Sequence, residues 1–143
     1  MGSIFPPQGS RDDTRYAEMK REEREYSLFC VEFCSDILDS RPFHIEALEL
    51  AANHFTALGY YSDGLALDRR LAELRPEEPG ILYNLACSLA LIGKIDDAVS
   101  ALSRAVENGY HDYRHMVADD DLRALRGDPR FVELLGLLES RRE

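Results

Sequence analysis

No apolar run in the 143 residues is long enough to span a bilayer; the longest, Leu85 to Ile92, is interrupted by Ser88. No basic-then-apolar leader opens the sequence, and Pro6 stands where a myristoylation signal needs Ser or Thr. Neither secretion nor a lipid anchor is expected. Cysteine is sparse: Cys30, Cys34 and Cys87 are an odd number, which argues against a disulfide framework and for reduced thiols in the cytoplasm. Basic residues are also short, 17 Lys and Arg against 27 Asp and Glu, for a net charge of −10. Nucleic acids and anionic membranes bind by neutralising phosphate, so both are disfavoured as partners. Catalytic signatures are missing as well. There is no Cys-x-x-Cys, no nucleophile elbow, no Gly-rich phosphate loop and no His-Glu-x-x-His. No pair of carboxylates is set apart by an apolar environment that would split their pKa values. The expectation is a protein that is not an enzyme and carries no cofactor.

What is present is a core-forming composition, 45% apolar, arranged in a repeat. Residues 45–78 align with residues 79–112 at a step of thirty-four. Leu48 falls on Leu82, Ala52 on Ala86, Phe55 on Leu89, Gly59 on Gly93, Gly64 on Ala98 and Leu71 on Ala105. One step earlier, Cys30, Val31 and Ile37 align with Gly64, Leu65 and Leu71, and Pro42 with Pro76. Within a copy, Ala47, Leu48, Ala51, Ala52, Phe55 and Leu58 share one helical face, Gly59 ends that helix and Pro76 ends the next. Small residues at Ala52, Ala86, Gly64 and Ala98 let two antiparallel helices approach closely. One such pair cannot bury its own apolar faces, whereas stacked pairs can. The spacing predicts helices near 12–40, 43–58, 61–75, 79–92, 95–108 and 129–141, with Phe55, Leu71, Leu85, Leu89, Ala98, Leu102 and Phe131 buried.

A thirty-four-residue helix-turn-helix carrying Asn84-Leu85-Ala86, Gly93, Ala98 and Ala105 resembles the tetratricopeptide repeat (TPR). The first copy departs at Asp68, where the family prefers a large apolar residue, and the second ends in Tyr110 instead of Pro. The tail, with Asp128-Pro129-Arg130-Phe131, resembles the closing segment of bacterial TPR arrays, with Asp120 in place of a first Pro. The resemblance implies an all-α fold: antiparallel helix pairs in a short right-handed superhelix with a C-terminal capping helix. The domain is expected over 11–143, with a closing segment at 113–143 after a flexible N-terminus at 1–10. Between Asp12 and Ser40 there is no Gly or Pro, so this stretch reads as one long helix or as two joined by a kink. Tyr16, Met19, Tyr26, Cys30, Phe33 and Ile37 keep near-heptad spacing there, interrupted by Glu23, which offers a dimer seam.

In TPR-like arrays the first helices of each pair line a concave groove. That resemblance implies a protein-interaction module, an adaptor, scaffold or chaperone-like protein, binding a peptide or partner helix. Its contacts would be Glu46, Glu49, Asn53, Tyr83, Asn84, Cys87 and Arg114, with Tyr83 as an anchor. Glu46 and Glu49, together with nine acids against three bases from Glu77 to Asp121, favour a partner with Lys or Arg. The alternative is a self-associating structural protein dimerised through its N-terminal helix. His111, His115 and Asp119 would share a face if their stretch were one helix, and could then hold zinc. Gly109 and the Asp run argue for a short frayed helix there, and no metal is expected.

Overall fold

The computed structural model describes residues 3–142, and every regular element among them is helical, so the chain is all-α. In chain order these are α1 (Asp13–Glu18), α2 (Arg21–Ser40), α3 (Ile45–Leu58), α4 (Tyr61–Leu74), α5 (Pro79–Leu91), α6 (Ile95–Glu107) and α7 (Tyr113–Ala118). A 3-10 segment (Asp120–Leu125) and α8 (Pro129–Ser140) follow. Among the described residues no helix is long and apolar enough to cross a membrane. The chain divides into two units, the first ending at Leu74 and the second beginning at Arg75.

In the first unit α3 packs between α2 and α4. Its six expected core residues, Ala47 to Leu58, are all buried. Gly59 then turns the chain at φ +92°, a left-handed conformation that costs a side-chain-bearing residue energy and costs Gly none. The tight turn sends α4 back along α3. Their closest approach is at Gly64, where an added Cβ would lie 2.5 Å from Thr56 Oγ1 and 3.2 Å from the Ala52 carbonyl oxygen. Leu67 and Leu71 continue the Gly64 face at i+3 and i+7 and are buried; Asp68 is buried too.

The second unit repeats this construction with α5 and α6. Gly93 takes φ +82° at the position equivalent to Gly59. Ala98, Ala101, Leu102 and Ala105 bury the inner face of α6. The tail closes over it: α8 packs on α6 and α7, with Phe131 and Leu138 buried. Asp128 caps α8 by accepting from the Arg130 N–H, with Pro129 at the first helical position. The Arg130 guanidinium donates to Asp128 and to Asp96, 2.8 Å each, which ties α8 to the start of α6. The loop that lacks the first Pro is wound into the 3-10 segment, capped by Asp119 accepting from the Asp121 N–H. All seven expected core residues, from Phe55 to Phe131, are buried.

The N-terminal stretch differs from a single helix over 12–40. It breaks at Met19 and Lys20, both extended, because α1 is pinned elsewhere. Asp12 donates its N–H to the Gly59 carbonyl, accepts from the Tyr61 hydroxyl at 2.7 Å and caps α1 through the Arg15 N–H. Residues 3–10 form no helix. The Gln8 and Gly9 N–H groups donate to Asp63, and Ser3 hydrogen-bonds Ser35, which places these residues on α4 and α2. Residues 1 and 2 lie outside the described residues.

The Gly64 contact makes a prediction. Gly64→Leu forces α3 and α4 apart and is expected to cost about 1–3 kcal/mol, with part recovered in Gly64→Leu/Thr56→Ala. A chemical-denaturation curve for Gly64→Leu that overlays the parent would contradict this packing.

Candidate functional site

The seven residues expected to bind a peptide fall into two groups. In the first unit Glu46 and Asn53 are exposed on α3 and Glu49 is half-buried. In the second unit Asn84 and Arg114 are exposed, whereas Tyr83 and Cys87 are buried. Tyr83, only 4% exposed, is therefore not a free anchor. The reason is Asp119. Its Oδ2 accepts from the Tyr83 hydroxyl at 2.7 Å, lies 3.6 Å from Cys87 Sγ and faces His115 Nε2 at 3.4 Å. The Tyr83 ring stacks flat on Tyr110, centroids 4.3 Å apart, and His115 lies 5.4 Å from Tyr83 on a tilted ring. The segment after α6 thus folds back and fills the face of α5 that the repeat register leaves open.

This cluster is built for packing. Burial, reinforced by the Cys87 sulfur and the Asp119 carboxylate, pushes the Tyr83 phenol far above its usual range. Burial does the same to the Cys87 thiol, with Asp119 adding to it. Burial also pushes Tyr110 up to about 12. Tyr83 and Cys87, buried and protonated beside the Asp119 carboxylate, do not serve as nucleophiles near neutral pH. His111 does not join them: it lies before α7, its Nδ1 against the Gly109 carbonyl, and the three-residue zinc arrangement does not form. Among the described residues no group of three His, Cys, Asp or Glu could hold a metal. The three thiols are free and buried.

The exposed apolar surface lies elsewhere, in the first unit. Tyr26, Phe29 and Phe33 on α2 are 60%, 61% and 52% exposed, and Phe43, just before α3, is 61% exposed. At ~100° per residue the three α2 rings share a stripe that also takes in Ile37. Phe29 and Phe33 stack at 5.9 Å, and Tyr26 meets His54 of α3 edge-on at 5.5 Å. His54 Nδ1 bonds to Ser27 Oγ at 2.9 Å, and burial lowers its pKa. One and three turns back from His54, Leu50 and Phe43 extend the patch along α3. The near-heptad spacing marks Tyr26, Phe33 and Ile37. Phe29 escapes it because that seam also runs through Cys30, which is buried beneath the stripe.

Comparison with known proteins adds one partial likeness. No family model matches the sequence. A stretch of 61 residues, 42% of the chain, is 36% identical to a chloroplastic protein of Arabidopsis thaliana. The chain spans 18% of that protein's length.

Two measurements check the Asp119 cluster. Tyr83→Phe removes a buried hydrogen bond to a carboxylate and should cost about 1.5–3 kcal/mol. The raised phenols stabilise the fold fully below the unfolded tyrosine pKa of about 10, and that contribution falls as pH rises above it. Cys87 should resist iodoacetamide at about pH 8 until denaturant is added, because both burial and protonation protect it. Labelling of the native protein at the rate of a free thiol would contradict the arrangement.

Proposed function

We propose that this protein is a protein-interaction module of the tetratricopeptide-repeat kind, acting as an adaptor, scaffold or chaperone-like holder and not as an enzyme. The observation that carries the proposal is the aromatic face of α2. Monomeric proteins rarely leave several large apolar side chains contiguous and exposed, and such patches mark partner surfaces. Tyr26, Phe29 and Phe33 run along two turns of one helix, with Phe43 and Leu50 beside them. The thirty-four-residue correspondence of α3–α4 with α5–α6, down to the left-handed Gly59 and Gly93, supports the repeat reading. Asn53 and Asn84 stand exposed on first helices, where they can hydrogen-bond an extended chain.

The setting we propose is cytoplasmic, where three free thiols persist. Self-association through α2 is the second reading, favoured by the stacked and exposed Phe29 and Phe33. A net charge of −10 opposes it, since two copies repel.

The test is capture of partners from a lysate by the parent chain, by Phe29→Ser/Phe33→Ser and by Asn53→Ala/Asn84→Ala. Loss of the captured proteins with the aromatic variant is the expected result, because a central aromatic typically contributes about 2 kcal/mol or more to an interface. Unchanged capture by both variants would refute the module as described.

A further inference from the structure

The three second helices of the chain, α2, α4 and α6, allow an internal comparison. Cys30, Gly64 and Ala98 are equivalent, and on α4 and α6 this small residue marks the side facing the preceding helix of the same pair. Three residues on, Phe33, Leu67 and Ala101 are equivalent. Leu67 is 2% exposed and Ala101 4%, yet Phe33 is 52% exposed. Ile37 is half-exposed where Leu71 and Ala105 are buried. Cys30 itself stays buried on α2, but three and seven residues on, Phe33 and Ile37 are uncovered where their equivalents on α4 and α6 are covered. α1 does not supply a covering helix: it has six residues and is fixed at the Gly59 turn through Asp12. Among the described residues, N-terminal hydrogen bonds to α2 reach Arg24 and Ser35, which at ~100° per residue lie on the opposite flank from Tyr26 and Phe33.

The empty position is a slot with two walls. Tyr26, Phe29, Phe33 and Ile37 form the α2 wall; Leu50 of α3 and Phe43, just before that helix, form the other. The Tyr26–His54 contact joins them. From Tyr26 to Ile37 the α2 wall is about 17 Å long at ~1.5 Å per residue, which suits a helix of about three turns. Its charge has one sign. From Glu25 to Ser40, α2 carries Glu25, Glu32, Asp36 and Asp39 and no Lys or Arg. Glu22 stands one turn before Tyr26 on the same stripe. Over its whole length α3 carries Glu46 and Glu49 and no Lys or Arg. Bases stand only at the ends of α2, as Lys20, Arg21 and Arg24 before the slot and Arg41 after it. Arg21 is paired with Glu25, and Arg24 is turned towards Tyr16.

We infer that the slot between α2 and α3 receives an amphipathic helix of a different protein, with an apolar stripe for the aromatic wall and Lys or Arg along its edges. This deepens the interaction-module reading and rests on it. A second copy of this chain would bring its own acids against these and is the occupant the charge disfavours. The bound helix takes the place of a missing first helix and buries Phe33.

The experiment titrates the full chain with two synthetic amphipathic helices of about 15 residues, identical in their Leu stripe, one carrying Lys on its flanks and the other Glu. Amide chemical shifts locate binding. The Lys helix should shift residues 26–37 and 43–54 and leave the second unit unmoved. Phe33→Ser should weaken it about tenfold or more. Glu22→Lys/Asp36→Lys should weaken the Lys helix and admit the Glu helix. Equal binding of both helices to the parent, shifts outside this slot, or indifference to Phe33→Ser would overturn the inference. So would a concentration-dependent dimer that Phe33→Ser abolishes, since the occupant would then be a second copy. Absence of Lys-helix binding while lysate capture still depends on Phe29 and Phe33 would overturn this inference alone. Loss of that dependence would overturn the module reading itself.

Discussion

Everything distinctive in this chain follows from the rule that an amphipathic helix with a wide apolar face needs a neighbour on each side of it. Small residues and tight turns meet this need on one side of α4 and α6. Gly59 and Gly93 reverse the chain so that each second helix lies on its own first helix, and Gly64 and Ala98 let the backbones approach. In the second unit the tail meets the remaining need, with α8 laying Phe131 and Leu138 onto the pair and Arg130 bonded to Asp96. In the first unit α2 has α3 on one side, while Tyr26, Phe29 and Phe33 look outwards on another. The energy of covering those rings, on the order of 25 cal/mol per Å² of apolar surface, remains available to a partner.

The repeat was legible because its physics is periodic. Core positions recur at helical spacing within a copy and at thirty-four residues between copies, and Gly at a helix end has one structural reason. What is not periodic was harder to read. The break at Met19–Lys20 carries no Gly or Pro; it arises because Asp12 is held by Gly59 and Tyr61, more than forty residues away in sequence. The site suffered most from this. Register alone sets Tyr83 and Cys87 on an open helix face, but a carboxylate from beyond α7, Asp119, satisfies the Tyr83 hydroxyl, and Tyr110 covers the ring. Asp119 opens a run of three acids, and its spacing from His111 and His115 suggests a metal ligand, with nothing in the local pattern to tie it to Tyr83.

Exposure proved more informative than residue type. Phe33 stands in sequence on a near-heptad seam, and it aligns with Leu67 and Ala101, which are core. Only the absence of a preceding helix turns it into surface. The sequence held the clue in the stretch before it, where three of the six α1 residues are charged and the helix is too short and polar to cover an apolar face.

The most direct measurement of this account is amide hydrogen exchange on the dilute, monomeric chain, comparing equivalent segments of the three second helices. With one flank uncovered, the α2 amides from Phe29 to Phe33 should exchange at least tenfold faster than those of 97–101 on α6, since exchange follows the free energy of local opening. Protection of α2 equal to that of α6 would mean that its aromatic face is already covered, and the central claim would fail.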